Sequence, residues 1–259
     1  MTGPMEPIRA EAIRAERITK VFGTVTALAG VSLAVGFGET LGILGDNGAG
    51  KSTLIKILTG YQQPDGGQVL VDGRPVELAS VDHARALGIE CVYQDLALVN
   101  GLSVYHNMFL NRELLRWGPL KLLDHRAMRR RAAAALAEIG VDVPSVETEV
   151  GALSGGQRQA VAVARAVLSN ARILLLDEPL AAMGAREAQR IIGLVERLKE
   201  RGDIAIVMIA HNYAQTLELC DRVVLMQHGE ITFESSAAAT SAAELLDIIR
   251  REYRAGRAG

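Results

Sequence analysis

The sequence predicts an α/β fold: a mostly parallel sheet with helices on both faces, an antiparallel β subdomain near its start, and an inserted helical subdomain. Three observations carry this. Apolar runs of strand length ("ETLGILG", "ARILLLDEP", "IAIVMIAH", "DRVVLMQHGEI") alternate with helical stretches such as "AREAQRIIGLVERLKERG". One run feeds straight into the glycine-rich "GDNGAGKST", which opens a helix. The texture changes after Gln94, where roughly 55 residues of mostly helical patterning interrupt the alternation.

Taken in order, residues 1 to about 10 read as a loose tail. From Glu16 to Gly38 short β-type runs alternate with turn residues. "ETLGILG" is a buried strand, and "KSTLIKILTG" is a helix stopped by Gly60. "GGQVLVDGRPV" has the Asp-Gly signature of a hairpin, and "GIECVYQ" is a short apolar strand ending at Gln94. In the insert, "SVYHNMFLNRELL" and "DHRAMRRRAAAALAEIG" read as helices, the second capped by Asp124 and stopped by Gly140. Near the end, Ser241 and Glu244 have capping-box spacing ahead of "LLDIIRREY". The predicted boundaries are a core of residues 8–94 and 151–235, a helical subdomain of 95–150 and a helical tail of 236–259.

Composition excludes several classes of function. With 49% hydrophobic and 22% charged residues, 259 residues build a packed core rather than a disordered chain. A net charge of −2 gives the whole chain no electrostatic reason to bind nucleic acid. The densest basic cluster (Arg126, Arg129, Arg130, Arg131) reads as a solvated helix face. Cys91 and Cys220 sit in apolar surroundings as a reduced, buried pair, and the five histidines have no metal spacing. There is no long uncharged apolar run and no secretory h-region near the start. The expectation is a cytoplasmic chain that reaches a membrane by docking to a partner.

The chemistry begins at Gly45, Asp46, Asn47, Gly48, Ala49, Gly50, Lys51, Ser52 and Thr53, which fit the phosphate-loop pattern. Glycines let backbone N–H groups close around a β-phosphate. Lys51 reaches the β- and γ-phosphates, Ser52 offers its hydroxyl to Mg2+, and Thr53 adds a contact at the α-phosphate. "ILLLDEP" delivers Asp177 and Glu178 to a strand's carboxyl end, where such sheets place ligands. Asp177 suits Mg2+ through water, and Glu178 suits a general base for the attacking water. Gln94 and His211 also end strands; a neutral amide can touch both metal and water, and the imidazole can donate to the γ-phosphate. A second anion cradle stands at "LSGGQ", where Ser154, Gly155, Gly156 and Gln157 open a helix.

The order Phe22, "GDNGAGKS", Gln94, "LSGGQ", "ILLLDEP" and His211 resembles the ATPase subunit of an ATP-binding cassette (ABC) transporter, over about residues 8 to 235. The resemblance implies ATP and Mg2+ as cofactors. It implies a head-to-tail pair of chains, in which "LSGGQ" of one binds the γ-phosphate held by the other, so two cradles serve two sites. It implies that Phe22 stacks on adenine and that the helical subdomain grips a cytoplasmic helix of a transmembrane permease, with Gln94 at the hinge. "VYQDLALVNGLSVYHNMFLNREL" and "AHNY" resemble the ATPases of simple-sugar importers of the fructose and ribose group in a single-cassette form. A periplasmic or extracellular sugar-binding protein is then an indirect partner, and the chain sits at the cytoplasmic face of the membrane.

This sequence departs from the family's usual "DEPTSALD" in reading "DEPLAAMG". Leu180 replaces a small hydroxyl residue, and Gly184 replaces an aspartate that contacts the partner chain's phosphate loop. The expectation is weaker coupling between the two sites with catalysis retained. Among rivals, a serine hydrolase fails because "ALSGG" has Ala152 where the nucleophile elbow needs glycine. A soluble cassette ATPase usually carries two cassettes or a coiled-coil insert, which this sequence lacks. Another transporter class differs only in the docking region, which favours sugars.

Overall fold

The computed structural model describes residues 10–117, 121–181 and 183–255. The expected loose tail falls almost wholly outside them. Two sheets form the frame. The antiparallel one runs β2-β1-β4-β5, from β1 (Glu11–Phe22), β2 (Val25–Gly36), β4 (Gly66–Val71) and β5 (Arg74–Val76). The other runs β10-β9-β3-β8-β7-β6, from β3 (Thr40–Leu44), β6 (Ile89–Val92), β7 (Ile173–Asp177), β8 (Ala205–Ile209), β9 (Arg222–Gln227) and β10 (Glu230–Ser236). Pairing is parallel from β9 through β3, β8 and β7 to β6, and only β10 is antiparallel.

The short alternating runs expected between Glu16 and Gly38 are instead two twelve-residue strands. The turn that separates them lies at Gly23, where φ is 58°. Gly30 sits within β2 at φ 105° and the pairing slips in several places, which breaks the alternation that sequence reading relies on. The Asp-Gly hairpin forms as expected, with Asp72 and Gly73 both at positive φ.

The central strands read as continuous apolar runs because both of their faces are covered. Alternate residues feed two cores. Leu41, Ile43, Leu175 and Val207 face one that includes the antiparallel sheet and helix α1 (Lys51–Leu58). Leu44, Leu174, Leu176, Ile206 and Met208 face a second core built mainly from helices. One face is therefore covered mostly by the antiparallel sheet, with α1 and α2 (Val81–Ala86), rather than by helices alone. The helical face carries α5 (Gly155–Leu168), α6 (Ala185–Glu200), α7 (Tyr213–Leu219) and α8 (Ala242–Ala255). On α6 the buried stripe is Ala188, Ile191, Ile192, Leu194, Val195 and Leu198. Each of its large side chains stabilises the fold by about 1.5–3 kcal/mol, so Ile191→Asp would break this packing.

The insert is less helical than its patterning suggests. Among the described residues it holds α3 (Val104–Met108), α4 (His125–Glu138) and two isolated antiparallel bridges, Ser103–Glu149 and Leu115–Leu123. The helix expected through "NREL" stops early. Asn111 adopts φ 67°, and buried Asn107 spends its amide on Val99, Leu102 and Ser103 of the preceding loop. Asp124 caps α4 by accepting the Ala127 N–H, and Gly140 ends it at φ 65°. At the far end Ser241 accepts the Glu244 N–H, and α8 buries Leu245 and Ile249 in the helical core.

Candidate functional site

Parallel pairing aligns four strand ends. Ile43 of β3 stands beside Ile209 of β8, Asp177 of β7 beside Ile209, and Val92 of β6 beside Leu176. The next residues along each strand leave the sheet together. The structure therefore brings the Gly45–Thr53 loop, His211, Asp177 and Glu178, and Gln94 to one carboxyl edge. Gln94 lies two residues past β6 in an exposed bend rather than at the strand's end.

The loop needs its glycines at specific points. A Cβ on Gly45, at φ 146°, would lie 2.2 Å from the Met226 carbonyl oxygen. One on Gly50, at φ 100°, would lie 2.5 Å from the Ala27 carbonyl. The backbone folds too tightly against β9 and β2 for any side chain there. Asp46, Asn47 and Gly48 are exposed at the loop's crest and Ala49 is buried beneath. Lys51, the first residue of α1, is 5% exposed. Its Nζ donates to the carbonyls of Gly45 (2.5 Å) and Asp46 (2.9 Å), so the ammonium sits inside the curl of the loop. Desolvation lowers its pKa, opposed by the charges of Glu178, Asp46 and Asp177. Ser52 is exposed and Thr53 half-buried on the same first turn.

Glu178 adopts φ 52°, a left-handed backbone that costs a non-glycine residue about 1–2 kcal/mol. Its N–H is held by the Ile209 carbonyl at 3.0 Å. The turn presents its carboxylate to His211, whose Nε2 lies 2.6 Å from Glu178 Oε1. Burial pushes the Asp177 carboxyl above its ordinary range, and the neighbouring Glu178 charge adds to this. Among the described residues Asp177 makes no ion pair, and the charges of Lys51, His211 and Lys56 only partly offset its burial. That fits Mg2+, which keeps most of its waters and asks a protein for only one or two oxygen donors. Among the described residues no group of three or more His, Cys, Asp or Glu could hold a metal; the residues expected to offer oxygens to Mg2+, Ser52, Asp177 and Gln94, come to the same edge of the sheet.

Phe22 ends β1 and is 44% exposed, with the Lys20 ammonium 5.7 Å from its ring. Both thiols are free; Cys220 is buried, Cys91 half-buried, and burial raises both pKa values, so neither is a nucleophile at neutral pH.

The second cradle stands at the start of α5. Ser154 caps it by accepting the Gln157 N–H, and Gln157 accepts the Ser154 N–H in return. Two residues missed in the sequence act here. Glu187, from the first turn of α6, accepts the Gly156 N–H at 3.4 Å. A Cβ on Gly156 would lie 3.0 Å from the Glu187 Cβ, so this glycine permits the helix approach. Arg165, at the other end of α5, donates to the Leu96 and Ala97 carbonyls and ties this helix to the loop after Gln94. An arginine inside an apolar helical run was the available signal for it. Beside that loop opens a cleft of about 810 Å3 lined by Arg85, Glu90, Leu110, Arg112 and Arg165 among others.

The profile of the family described as "ABC transporter" matches residues 28–181. The chain belongs to that family. The cassette is 42% identical over 232 residues to the xylose/arabinose import ATP-binding protein XylG of Sulfolobus acidocaldarius, covering 90% of this chain and 91% of that protein. It is 41% identical to the fructose import ATP-binding protein FrcA of Rhizobium meliloti, covering 86% of each. Among solved structures it resembles the ADP conformation of the ABC transporter cassette MJ1267 (TM-score 0.79, 27% identity, 93% of this chain and 95% of that one). It also resembles the dimeric post-hydrolysis cassette MJ0796 bound to ADP and Pi (TM-score 0.73, 26% identity, 87% and 98%).

Proposed function

We propose that this cassette is the ATP-hydrolysing subunit of an importer for a simple sugar, paired with a second cassette beneath a membrane permease. The observation that carries the ATPase reading is the shared edge, where Lys51, Asp177, Glu178, His211 and Gln94 leave four adjacent parallel strands. The import reading is supported by relatives named for sugar import that match this chain along nearly their whole length. No helix among the described residues is long and apolar enough to cross a membrane; in this reading a permease supplies the membrane path. The cleft beside Gln94 is where we place that permease's cytoplasmic helix.

In this reading the N–H groups of the Gly45–Thr53 loop surround the β-phosphate, and Lys51 moves its hydrogen bonds from the loop carbonyls to the β- and γ-phosphates. Ser52, Asp177 and Gln94 would hold Mg2+, which would neutralise charge on the phosphate oxygens. Glu178 takes the proton of the attacking water, and His211 donates to the γ-phosphate. Phe22 packs on adenine. Ser154, Gly155, Gly156 and Gln157 of the opposite cassette close over the γ-phosphate with a helix N-terminus. ATP then joins the dimer and its hydrolysis releases it.

The test is capture of the partner. Tagged Glu178→Gln protein, expressed in native cells and held in Mg-ATP, should co-purify from solubilised membranes with a polytopic protein encoded beside a sugar-binding protein. Recovery with ribosomes or soluble complexes alone would sink the transport reading and leave the ATPase standing.

A further inference from the structure

We propose that the hairpin flanking Leu115 and Leu123 touches anionic lipid directly, beside the permease and independently of it. The Leu115–Leu123 bridge, with hydrogen bonds from the Arg116 N–H to the Leu122 carbonyl and from the Asp124 N–H to the Leu114 carbonyl, pairs residues 114–116 with residues 122–124. Leu114 packs onto the helical core and anchors the hairpin. Leu115 is 51% exposed, Leu122 58%, Leu123 40%, and Trp117 wholly.

Charge selects the partner. Residues 112–131 hold seven Lys or Arg and two acids, in a chain whose net charge is −2. Two of these cations are spent within the protein, Arg112 on Glu90 and Arg129 on Glu147. Arg116, Lys121, Arg126, Arg130 and Arg131 have no ion pair among the described residues. Exposed tryptophan and leucine among unpaired cations is the composition of a membrane-interface anchor. The position agrees, because Leu110 and Arg112, immediately before the hairpin, line the cleft assigned to the permease. An anionic headgroup layer completes the unpaired charge while the indole sits at the headgroup level.

Trp117 is the single tryptophan of the sequence, so its emission reports this position alone. The wild-type protein is titrated with permease-free vesicles of phosphatidylcholine, with and without phosphatidylglycerol. The expected result is a blue shift and quenching by brominated acyl chains with the anionic vesicles only, weakening as salt rises. Replacing Arg116 and Lys121 together by alanine should lower vesicle affinity at least about tenfold with ATP hydrolysis unchanged. Emission that stays that of an exposed indole overturns the proposal. A shift that requires permease in the vesicles assigns the surface to a protein and also overturns it. Either failure leaves the transporter assignment intact.

Discussion

The Nε2 of His211 lies 2.6 Å from the Oε1 of Glu178, joining the ends of β8 and β7 across the edge of the sheet. In the proposed mechanism the pair sets the proton acceptor for water beside a hydrogen-bond donor to the γ-phosphate. Removing either should leave nucleotide binding nearly intact and stop turnover by different routes. Replacing His211 by alanine removes a charge-stabilising donor and should lower the rate about 10²–10³-fold. Phosphate release at saturating Mg-ATP, with binding followed separately by a fluorescent nucleotide, checks both halves.

Lys51 fills the loop that is to hold phosphate, and its two hydrogen bonds to the Gly45 and Asp46 carbonyls stand in for that ligand. Lys51→Ala should abolish turnover and weaken ATP binding at least about tenfold, because the phosphates lose their deepest cation. Equilibrium binding of radiolabelled ATP reads this directly, and wild-type affinity in the variant would remove Lys51 from the site.

Asp177 carries a stability consequence with a definite sign. Its folded pKa is raised, first by desolvation and then by Glu178. A carboxyl raised on folding opposes the fold above its ordinary pKa, and the penalty vanishes when pH falls below that value. Asp177→Asn should therefore melt higher than wild type without nucleotide at pH 8, with a smaller difference near pH 4. Each kcal/mol gained is worth about 2–4 °C for a chain of this size. The same variant should lose Mg2+-dependent turnover. Scanning calorimetry at the two pH values is the check.

Gly184 is the N-cap of α6 and supplies no side-chain cap. A Cβ added there meets nothing within 4 Å. Gly184→Asp should fit, cap α6 and gain a few tenths of a kcal/mol. If the missing aspartate also weakens coupling between paired sites, this substitution raises the Hill coefficient for ATP hydrolysis. An unchanged coefficient with the higher melting temperature would confine its effect to the cap.

Gly156 and Glu187 make the α5–α6 contact a second point of leverage. The Glu187 carboxylate takes an N–H at the helix end assigned to the opposite cassette's γ-phosphate. Glu187→Gln removes a competing negative charge and should tighten ATP-driven dimerisation a few-fold. Gly156→Ala should weaken it, because the helices must part to admit the methyl group. Analytical ultracentrifugation in Mg-ATP distinguishes the two directions.

Much of the fold was legible because burial on both faces turns β3, β7, β8 and β9 into unbroken apolar runs. The phosphate loop was legible because its geometry tolerates only glycine at Gly45 and Gly50. Long-range pairing was not. The bulged β1–β2 ribbon hid its length behind Gly30 and its register shifts, and α3 ended where Asn107 chose loop carbonyls over surface exposure. Site residues were readable one strand at a time. The Glu178–His211 contact and the Arg165 and Glu187 links depend on which strands and helices lie side by side, which no local pattern encodes.

In the proposed function two cassettes close over ATP, each bringing its Ser154 to the other's Lys51, and two copies of this chain form the simplest such pair. The most direct test is the mass of the Glu178→Gln protein by light scattering in Mg-ATP and in ADP. The mass should be twice the 27.7 kDa chain mass in Mg-ATP and that of a single chain in ADP, and the dimer should be lost when Ser154→Ala is added. A variant that binds Mg-ATP yet stays at one chain mass would contradict it.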